Sequence, residues 1–548
     1  MYVINTRRDK PDIGEMLYTV TKMMQRGVKT AELNELEDYY LKLKEGTAVT
    51  INEKYGIQNP NSPKQIVAFI SDLSRKRTEV SPGETNDIFE ICCIEDYRTG
   101  EYKWTSNSQA LEKLEALGYE FASDLLEYRT YKKLAESITS IKKFSDNYGL
   151  IHPIVTITKT NRISYKDPAL MNIPKALLWR VITPLNENDC LYSVDIKNQE
   201  PNILLNMLQE TELLPALTSE QGLYEYLFAK VYAPEATMNL LVDTLPEDRI
   251  YTIAELQQGG IVSPAYYMPV KPSSSSLYYN GERIVEIETI CQGYTPSTGN
   301  GVKDGVIYPD TVRVALENGT VANVPVEWDK DTKLKKTTDS VVIGKLQGCE
   351  VQISKAERKE FKTSWLALTY GAAAITIKES CKLIDGAKLY KYFTHLPKMK
   401  EYRSMIDKAA KQGITQINNV FGAPMVTDKT TTKELKRSLL DLPIQGTGSG
   451  ILALLIKHFN SEMEARGISD KVFVYYTRHD ELIIEASKEY ISSIGKEAFE
   501  AMLKDIMEHQ VIHETKSGEL VPWVPFKVEI SCIENTEQKN YMLDIFED

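Results

Sequence analysis

Two aspartates end short apolar segments that have the composition of β-strands. Residues 190–195 read Cys-Leu-Tyr-Ser-Val-Asp, and residues 472–485 contain two apolar segments separated by the polar residues 478–481. The second pattern predicts a β-hairpin with two adjacent carboxylates at its turn. Two metal ions about 3.5–4 Å apart need bridging carboxylates, so Asp195 and Asp480 could hold such a pair. The plainer alternative is that each aspartate only forms a turn.

A second group of residues suits phosphate binding. Arg358, Lys362, Leu366 and Tyr370 are four positions apart, and each step of four advances about 40° around a helix, so they share one slowly turning face. Two cations and an aromatic ring on one face could hold a triphosphate while the Tyr end approaches a sugar or base. The alternative is a solvated basic helix that ends at Gly371.

A third segment is rich in glycine. Residues 443–450 read Pro-Ile-Gln-Gly-Thr-Gly-Ser-Gly and open into an apolar helical pattern that continues to His458. A flexible linker is one interpretation. Glycines that lead straight into an apolar helix favour the other, in which the backbone lies close to a neighbouring element.

The elements before these segments are predicted to be helices. Residues 14–47 carry apolar residues at three- and four-residue spacing, interrupted at Gly27, which predicts two helices. Helical patterns continue, so we expect residues 1–145 to be mainly helical. Lys132 and Lys133 lie on the last of these helices, where they either contact phosphate or form a solvated face.

Residues 234–350 have a different texture. Pro, Gly, Ser and Thr are frequent there, and short β-like stretches alternate with turn signals such as Asn318-Gly319. The segment is acidic overall. We therefore expect an inserted β domain that does not hold DNA through its phosphates.

Composition excludes several classes of protein. The 548 residues are 42% hydrophobic and 26% charged, which is typical of globular chains and predicts three or four structural units. The net charge of −12 argues against a protein that coats nucleic acid non-specifically, but permits a local basic groove. Seven cysteines without Cys-x-x-Cys spacing indicate neither a disulfide framework nor a zinc site. We find no apolar run of about 18 residues and no signal peptide, which predicts a cytoplasmic protein without a membrane partner.

Together the three segments resemble the polymerase motifs of the family A DNA polymerases, the DNA polymerase I type. Residues 195–200 (Asp-Ile-Lys-Asn-Gln-Glu) resemble motif A, residues 358–371 motif B, and His479-Asp480-Glu481 motif C. Residues 443–447 are similar to the palm helix that follows the fingers. Segments at 23–28, 61–65 and 126–129 resemble the family's thumb, and those at 161–164 and 172–174 the approach to its palm. The resemblance covers nearly the whole chain outside residues 234–350.

The resemblance implies an α+β fold of the right-hand polymerase type with an all-β immunoglobulin-like insertion. The implied domains are a helical thumb (1–145), the first part of the palm (146–205), the first part of the fingers (206–233), the insertion (234–350, immunoglobulin-like over about 285–350), the fingers (351–435) and the second part of the palm (436–548). Residues 308–329 and 341–348 carry the immunoglobulin-like pattern. Such a module binds a protein partner or only spaces the domains.

The resemblance also implies the roles of individual residues. Asp195, Ile196 and Asp480 would hold two Mg²⁺ ions, or Mn²⁺ in their place, and Glu481 would join Asp195 and Asp480 as a catalytic residue. The dNTP would be contacted by Arg358, Lys362, Leu366, Tyr370, Glu200 and His479. Primer-template DNA would be contacted by Arg162, Arg437, Asp441, Gln445, Lys132 and Lys133.

Several positions depart from the family pattern. Leu366 replaces the usual aromatic residue, Asp441 the usual Asn, and Gly450 the usual Asp. Contacts to the template and primer are therefore expected to differ in detail.

Three functions remain open at this point. The first is a template-directed DNA polymerase, which we expect to lack proofreading because about 14 residues before the thumb-like sequence cannot hold a nuclease domain. The second is a single-subunit RNA polymerase, although Glu200 and Glu481 argue against it. The third is a catalytically retired DNA-binding protein whose function lies in the insertion.

Overall fold

The computed structural model describes residues 1–31, 33–80, 86–96, 101–242, 266–270, 277–294, 308–330, 340–515 and 517–533. Helices and small sheets alternate along these residues, in agreement with the expected α+β class.

The first part of the chain is mainly helical, as its apolar spacing predicts. Its elements are β1 (Tyr2–Asn5), α1 (Ile13–Arg26), β2 (Val28–Thr30), α2 (Asn34–Tyr55), α3 (Pro63–Val80), α4 (Asp87–Cys92), β3 (Cys93–Asp96), β4 (Glu101–Trp104), α5 (Ser108–Ala116) and α6 (Glu120–Phe144). Gly27 ends α1 with a φ of 84°, which confirms the predicted break. Helices α2 to α6 contribute to a separate apolar core that includes Ile51, Leu111 and Leu125.

A connecting segment leads to the first central strand. Its elements are β5 (Leu150–Ile151), β6 (Ile154–Ile157), β7 (Ile163–Lys166), a 3₁₀ turn (Leu170–Asn172), α7 (Lys175–Val181), β8 (Ile182–Thr183), β9 (Asp189–Ile196), α8 (Gln199–Leu208), a second 3₁₀ turn (Leu214–Thr218) and α9 (Leu223–Val231). Strand β9 is apolar and nearly fully buried, and it lies between two other strands of a sheet.

The described strands between residues 235 and 351 form a β unit with its own apolar core. The strands are β10 (Glu235–Val242), β11 (Tyr266–Val270), β12 (Leu277–Tyr279), β13 (Glu282–Tyr294), β14 (Thr311–Leu316), β15 (Val321–Trp328), β16 (Ser340–Leu346) and β17 (Cys349–Val351). The core includes Met238, Val314 and Trp328 and is distinct from the main core of the protein. The start and end of the unit lie side by side, since Leu346 N donates to Pro234 O at 2.9 Å.

The strands of this unit pair into a closed ring in the described part of the chain. Among the described residues, β10, β16, β15, β14 and β13 pair in that order, and β13 pairs back with β10 in parallel, which closes a five-stranded ring. The physical reason is the long strand β13. It has an irregularity between Ile284 and Glu286, and it pairs with β14 over one half and with β10 over the other.

After this unit the chain is again mainly helical. The elements are α10 (Lys355–Thr369), α11 (Ala374–Ser380), α12 (Gly386–His395), α13 (Pro397–Lys411), β18 (Gln416–Asn418), β19 (Pro424–Val426) and α14 (Thr432–Ala465). A capping box between Ser354 and Glu357 fixes the start of α10.

The glycine-rich segment lies in the middle of α14. The flexible-linker alternative is therefore wrong, and so is the expectation that the glycines open a helix, because α14 begins at Thr432 and continues through Pro443. A Cβ at Gly448 would lie 2.6 Å from Gln199, and one at Gly450 would lie 2.7 Å from Phe421. These glycines allow neighbouring elements to approach the helix closely.

Helix α14 also has the length and apolar composition of a membrane span, unlike any other helix in the described part of the chain. However, 89% of its most apolar window is buried inside the protein. Helix α14 is thus a core helix of this fold.

The last part of the chain completes a four-stranded antiparallel sheet in the order β20-β21-β9-β24. The elements are β20 (Val472–Arg478), β21 (Glu481–Ser487), α15 (Lys488–Ile494), α16 (Lys496–Met507), β22 (His509–Glu514), β23 (Leu520–Pro522) and β24 (Val528–Ile533). Strands β20 and β21 form the hairpin that the sequence predicts. This sheet positions the candidate site.

Candidate active site

The sheet brings the two predicted metal-binding aspartates to the same end. Asp195 lies near the end of β9, and its partner in the register of β21 is Glu481. The hairpin turn consists of His479 and Asp480, and His479 has a φ of 54°. A left-handed residue is typical of such a two-residue turn. Asp480 is therefore the neighbour in sequence of the residue that directly opposes Asp195.

Glu481 lies on the same face of the sheet as Asp195. Residues directly opposite on paired strands share a face, and Ser193, two residues before Asp195, donates a hydrogen bond from its hydroxyl to Glu481. The Glu481 carboxylate is buried and lies 3.8 Å from Arg478 Nη1. Arg478 also donates to the carbonyl of Ile173 at 3.3 Å. Glu481 is thus held within the sheet beside the two aspartates.

The turn residues are electrostatically perturbed. Burial raises the pKa of Asp480, and the nearby Glu200 carboxylate acts in the same direction, whereas Arg162 opposes them. Burial and the Arg478 charge lower the pKa of His479. The Asp480 carboxylate therefore lies in a place where an additional cation would stabilise its charged form.

Glu200, in the first turn of α8, accepts hydrogen bonds from several parts of the chain. Arg162 Nη2 donates to Oε1 at 2.9 Å, and Gln445 Nε2 donates to the same oxygen at 2.9 Å. The Tyr370 hydroxyl donates to Oε2. Burial, and then the Glu200 charge, raise the pKa of Tyr370 well above its ordinary value. The structure therefore brings together Glu200, Tyr370, Arg162 and Gln445, all of which are predicted site residues.

Asp441 lies beside this cluster on α14. Burial raises its pKa to about 6, the Glu200 charge adds to the effect, and Arg162 and Gln445 oppose it. A cavity of about 520 Å³ opens next to these residues. It is lined by Ala367, Tyr370, Ala372, Arg437, Ser438, Asp441 and Gln445.

The cations of α10 lie against α9. Arg358 Nε donates to Glu225, and the Arg358 guanidinium and Lys362 Nζ lie 5.7 and 5.6 Å from the centre of the Tyr224 ring. Leu366 is half-buried on the same helix. Tyr224 and Glu225 are not among the site residues predicted from the sequence, although their position on an apolar helix shortly after motif A could have pointed to them.

Comparisons with known proteins decide the family. The profile described as "DNA polymerase family A" matches residues 30–239 and 336–538, which is well over half of the chain. The chain belongs to DNA polymerase family A.

Curated relatives of this family A chain are distant. It is 28% identical over 191 residues to "DNA polymerase I" of Aquifex aeolicus, which covers 32% of this chain and 30% of the relative. It is 23% identical over 172 residues to "DNA polymerase" of Bacillus phage SP01, which covers 29% of this chain and 18% of the relative. The matched part therefore spans less than a third of these relatives.

A solved structure has a similar fold. The POL domain of Pol1 from M. smegmatis, in complex with DNA primer-template and dNTP, superposes with a TM-score of 0.58 at 16% identity. The match covers 94% of this chain and 69% of that one. The chain therefore shares the overall fold of that structure.

The acidic end of the sheet has the donor set that suits the metal ions this family implies. No group of three or more His, Cys, Asp or Glu side chains arranged to hold a metal occurs in the described ranges. Mg²⁺, however, is typically held by one or two carboxylates together with substrate phosphates rather than by a cage of protein ligands. Asp195 and the partly buried Asp480 provide two such carboxylates. The side chain of Ile196 is apolar and buried, so only its backbone could contact an ion.

The predicted DNA contacts do not all lie in one place. Arg162, Arg437, Asp441 and Gln445 lie around Glu200 and the cavity beside it. Lys132 and Lys133 instead line a separate cavity of about 270 Å³ at the start of α3, together with Arg129. Burial lowers the pKa of Arg129, which sequence reasoning did not single out as a separate contact.

Proposed function

We propose that this family A chain is a template-directed DNA polymerase that adds dNTPs to a primer 3′-hydroxyl. The register of β9 and β21 carries the proposal, because it brings the Asp480 turn to the end of β9 at which Asp195 lies. Glu200 acts on the charge of Asp480 and accepts a hydrogen bond from Tyr370. The family assignment favours DNA synthesis over the RNA polymerase alternative. Acids held at the end of a buried sheet argue against a retired enzyme.

Asp195 and Asp480, with the backbone of Ile196, would hold two Mg²⁺ ions, with Mn²⁺ as the alternative. When bound, such ions favour ionisation of the 3′-hydroxyl and stabilise the charge of the transferred phosphoryl group. Glu481 would stabilise the position of the acidic turn through its hydrogen bond from Ser193.

Other residues of the chain would hold the nucleotide. Arg358 and Lys362 would bind the triphosphate, because guanidinium and ammonium groups donate charge-assisted hydrogen bonds to phosphate oxygens. Glu200 and Tyr370 would pack against the sugar, with Leu366 and His479 near the nucleotide. Asp195, Glu200 and Tyr370 would thus lie around the reacting end of the dNTP.

DNA would contact two regions. Arg162, Arg437, Asp441 and Gln445 would meet the primer-template near the nucleotide, and Lys132 and Lys133 would contact phosphates farther along the duplex. These phosphate contacts would make binding dependent on salt in spite of the negative net charge. The solved neighbour was obtained with DNA primer-template and dNTP, which supports this assignment.

The domains of the chain would correspond to those of a right-hand polymerase. Residues 1–145 would be the thumb, 146–205 and 436–548 the palm, and 206–233 and 351–435 the fingers. The β unit within 234–350 would serve a protein partner or a steric role. We place the activity in the cytoplasm of a bacterial cell, whether the protein is encoded by the cell or by a phage.

Primer extension on a defined template tests this function. The 548-residue polypeptide should extend a primer with dNTPs in a template-dependent manner and should not do so with rNTPs alone. We also propose that it does not proofread, so a mismatched 3′-terminal nucleotide should remain in place. Absence of any extension, or preference for rNTPs, would refute the proposed function.

A further inference from the structure

Both cations assigned to the triphosphate are engaged by adjacent residues of α9. Glu225 accepts a hydrogen bond from Arg358 Nε, and the two side chains are 26% and 44% exposed. Tyr224 lies under both Arg358 and Lys362, with its ring centre within 6 Å of each charge. The ring orients the cations, whereas the carboxylate neutralises one of them.

The position of Glu225 depends on the local backbone. Glu225 lies in the first turn of α9, which follows Gly222 with a φ of 101°. A Cβ at residue 222 would collide with the Glu225 carboxylate, so glycine leaves the space that the carboxylate occupies. The backbone at the start of α9 thus positions the Glu225 carboxylate for its contact with Arg358.

The Glu225 carboxylate is only partly satisfied. Its Oε1 pairs with Arg358, but Oε2 is buried and has no hydrogen-bond partner within the described ranges. A buried oxygen without a partner retains its desolvation cost. The pair with Arg358 is therefore easier to exchange than one in which both oxygens are satisfied.

We propose that Glu225 is a positioning residue that competes with the incoming triphosphate for Arg358 and releases it when the nucleotide binds. The inference rests on the proposed function, because it takes Arg358 and Lys362 as the triphosphate-binding residues. Phosphate oxygens and the Glu225 carboxylate accept from the same guanidinium. Glu225 therefore lowers the affinity of the protein for the triphosphate. Tyr224 keeps Arg358 and Lys362 oriented when the Glu225–Arg358 pair breaks.

The direct test measures binding of inorganic tripolyphosphate to the full chain by calorimetry. Glu225→Gln keeps the size of the side chain and removes its charge, so it should bind about two- to tenfold more tightly than the wild type. Glu225→Asp retains the charge on a shorter side chain, so it should bind tripolyphosphate less tightly than Glu225→Gln does. With Arg358→Gln already present, Glu225→Gln should have no further effect. Glu225→Ala provides a second variant without the charge, and cooperative melting establishes that each variant is folded.

Single-turnover extension gives a second readout. In Glu225→Gln the apparent Kd for dNTP should fall by the same factor as the Kd for tripolyphosphate. A purely structural role would instead lower the rate or weaken binding. Tripolyphosphate affinity that is equal or weaker in both charge-free variants overturns the proposal. Failure of the wild type to extend any primer refutes the polymerase function separately, and the calorimetric comparison still decides the role of Glu225.

Discussion

At the scale of single residues, Glu200 connects three segments that are far apart in the sequence. It accepts hydrogen bonds from Arg162, Gln445 and Tyr370, which lie on three different segments. These donors fix the carboxylate in one orientation, so it can exclude a substituent from the space in front of it. In the proposed complex that space is the one a ribose 2′-hydroxyl needs.

Replacing Glu200 by Ala should therefore admit ribonucleotides. The preference for dNTPs over rNTPs, measured as the ratio of kcat/KM values, should fall at least about tenfold, because a clash and an unpaired polar group are removed. Glu200→Gln, which retains the size of the side chain, should keep most of the preference. An unchanged ratio in Glu200→Ala would show that the carboxylate does not select the sugar.

Asp441 should make stability depend on pH. Burial raises its pKa from 3.8 to about 6, so the folded protein holds this proton more tightly than the unfolded chain does. The resulting stabilisation is fully present below pH 3.8, is lost as the pH rises through about 6, and is absent at neutral pH.

Asp441→Asn removes the buried charge and should stabilise the protein at pH 8 by about 1–2 kcal/mol. The gain should shrink towards zero near pH 4, where the wild-type residue is protonated. Urea unfolding of both proteins at several pH values measures this difference. A gain that is the same at every pH would contradict the burial argument.

At the scale of elements, α14 shows why glycine has different consequences in different helices. Gly450 is buried, and a Cβ there would lie 2.7 Å from Phe421 and 2.9 Å from Pro11. Gly46, in the interior of α2, has no atom within 4 Å of its hypothetical Cβ. The same substitution should therefore have opposite effects at the two positions.

Gly450→Ala should destabilise the protein by about 1–3 kcal/mol, because overpacking outweighs the gain in helix propensity. Gly46→Ala should stabilise it by about 0.5–1 kcal/mol, since it only restricts the unfolded chain. Chemical denaturation of both variants provides the comparison. Equal effects at the two sites would mean that close packing around α14 is not what requires glycine.

The elements also differ in how far the sequence alone could predict them. The hairpin around Asp480 and the face of α10 are local patterns, so spacing alone predicted them. The course of α14 through Pro443 was missed, because tertiary packing outweighs the usual helix-breaking effect of proline. The partners of Arg358 on α9 and of Glu481 on β9 depend on contacts between distant segments, which no local pattern contains.

At the scale of the whole molecule, the β unit leaves and re-enters the rest of the chain at neighbouring points. Its start and end are joined by the hydrogen bond between Leu346 N and Pro234 O, and its core is separate from the main core. The family profile includes the beginning and the last two strands of the unit and leaves out residues 240–335. The polymerase part can therefore be expected to fold without this unit.

Replacing residues 236–349 by a short Gly/Ser linker should keep single-nucleotide addition within about threefold of the wild-type rate. Product length at limiting enzyme is the quantity that would change if the unit serves a partner or a steric role. A deletion variant that melts cooperatively but has lost single-nucleotide addition would show that the unit belongs to the active site.

The register of β9 and β21 brings the Asp480 turn to the end of β9 at which Asp195 lies. The most direct test is single-turnover primer extension with Mg²⁺ by Asp195→Asn and Asp480→Asn. Asp470→Asn serves as the matched control, because Asp470 is exposed and lies at the opposite end of the same hairpin. We predict that each active-site variant loses at least about 10²-fold in rate, whereas the control retains the wild-type rate. Near wild-type rates for both active-site variants would contradict the account.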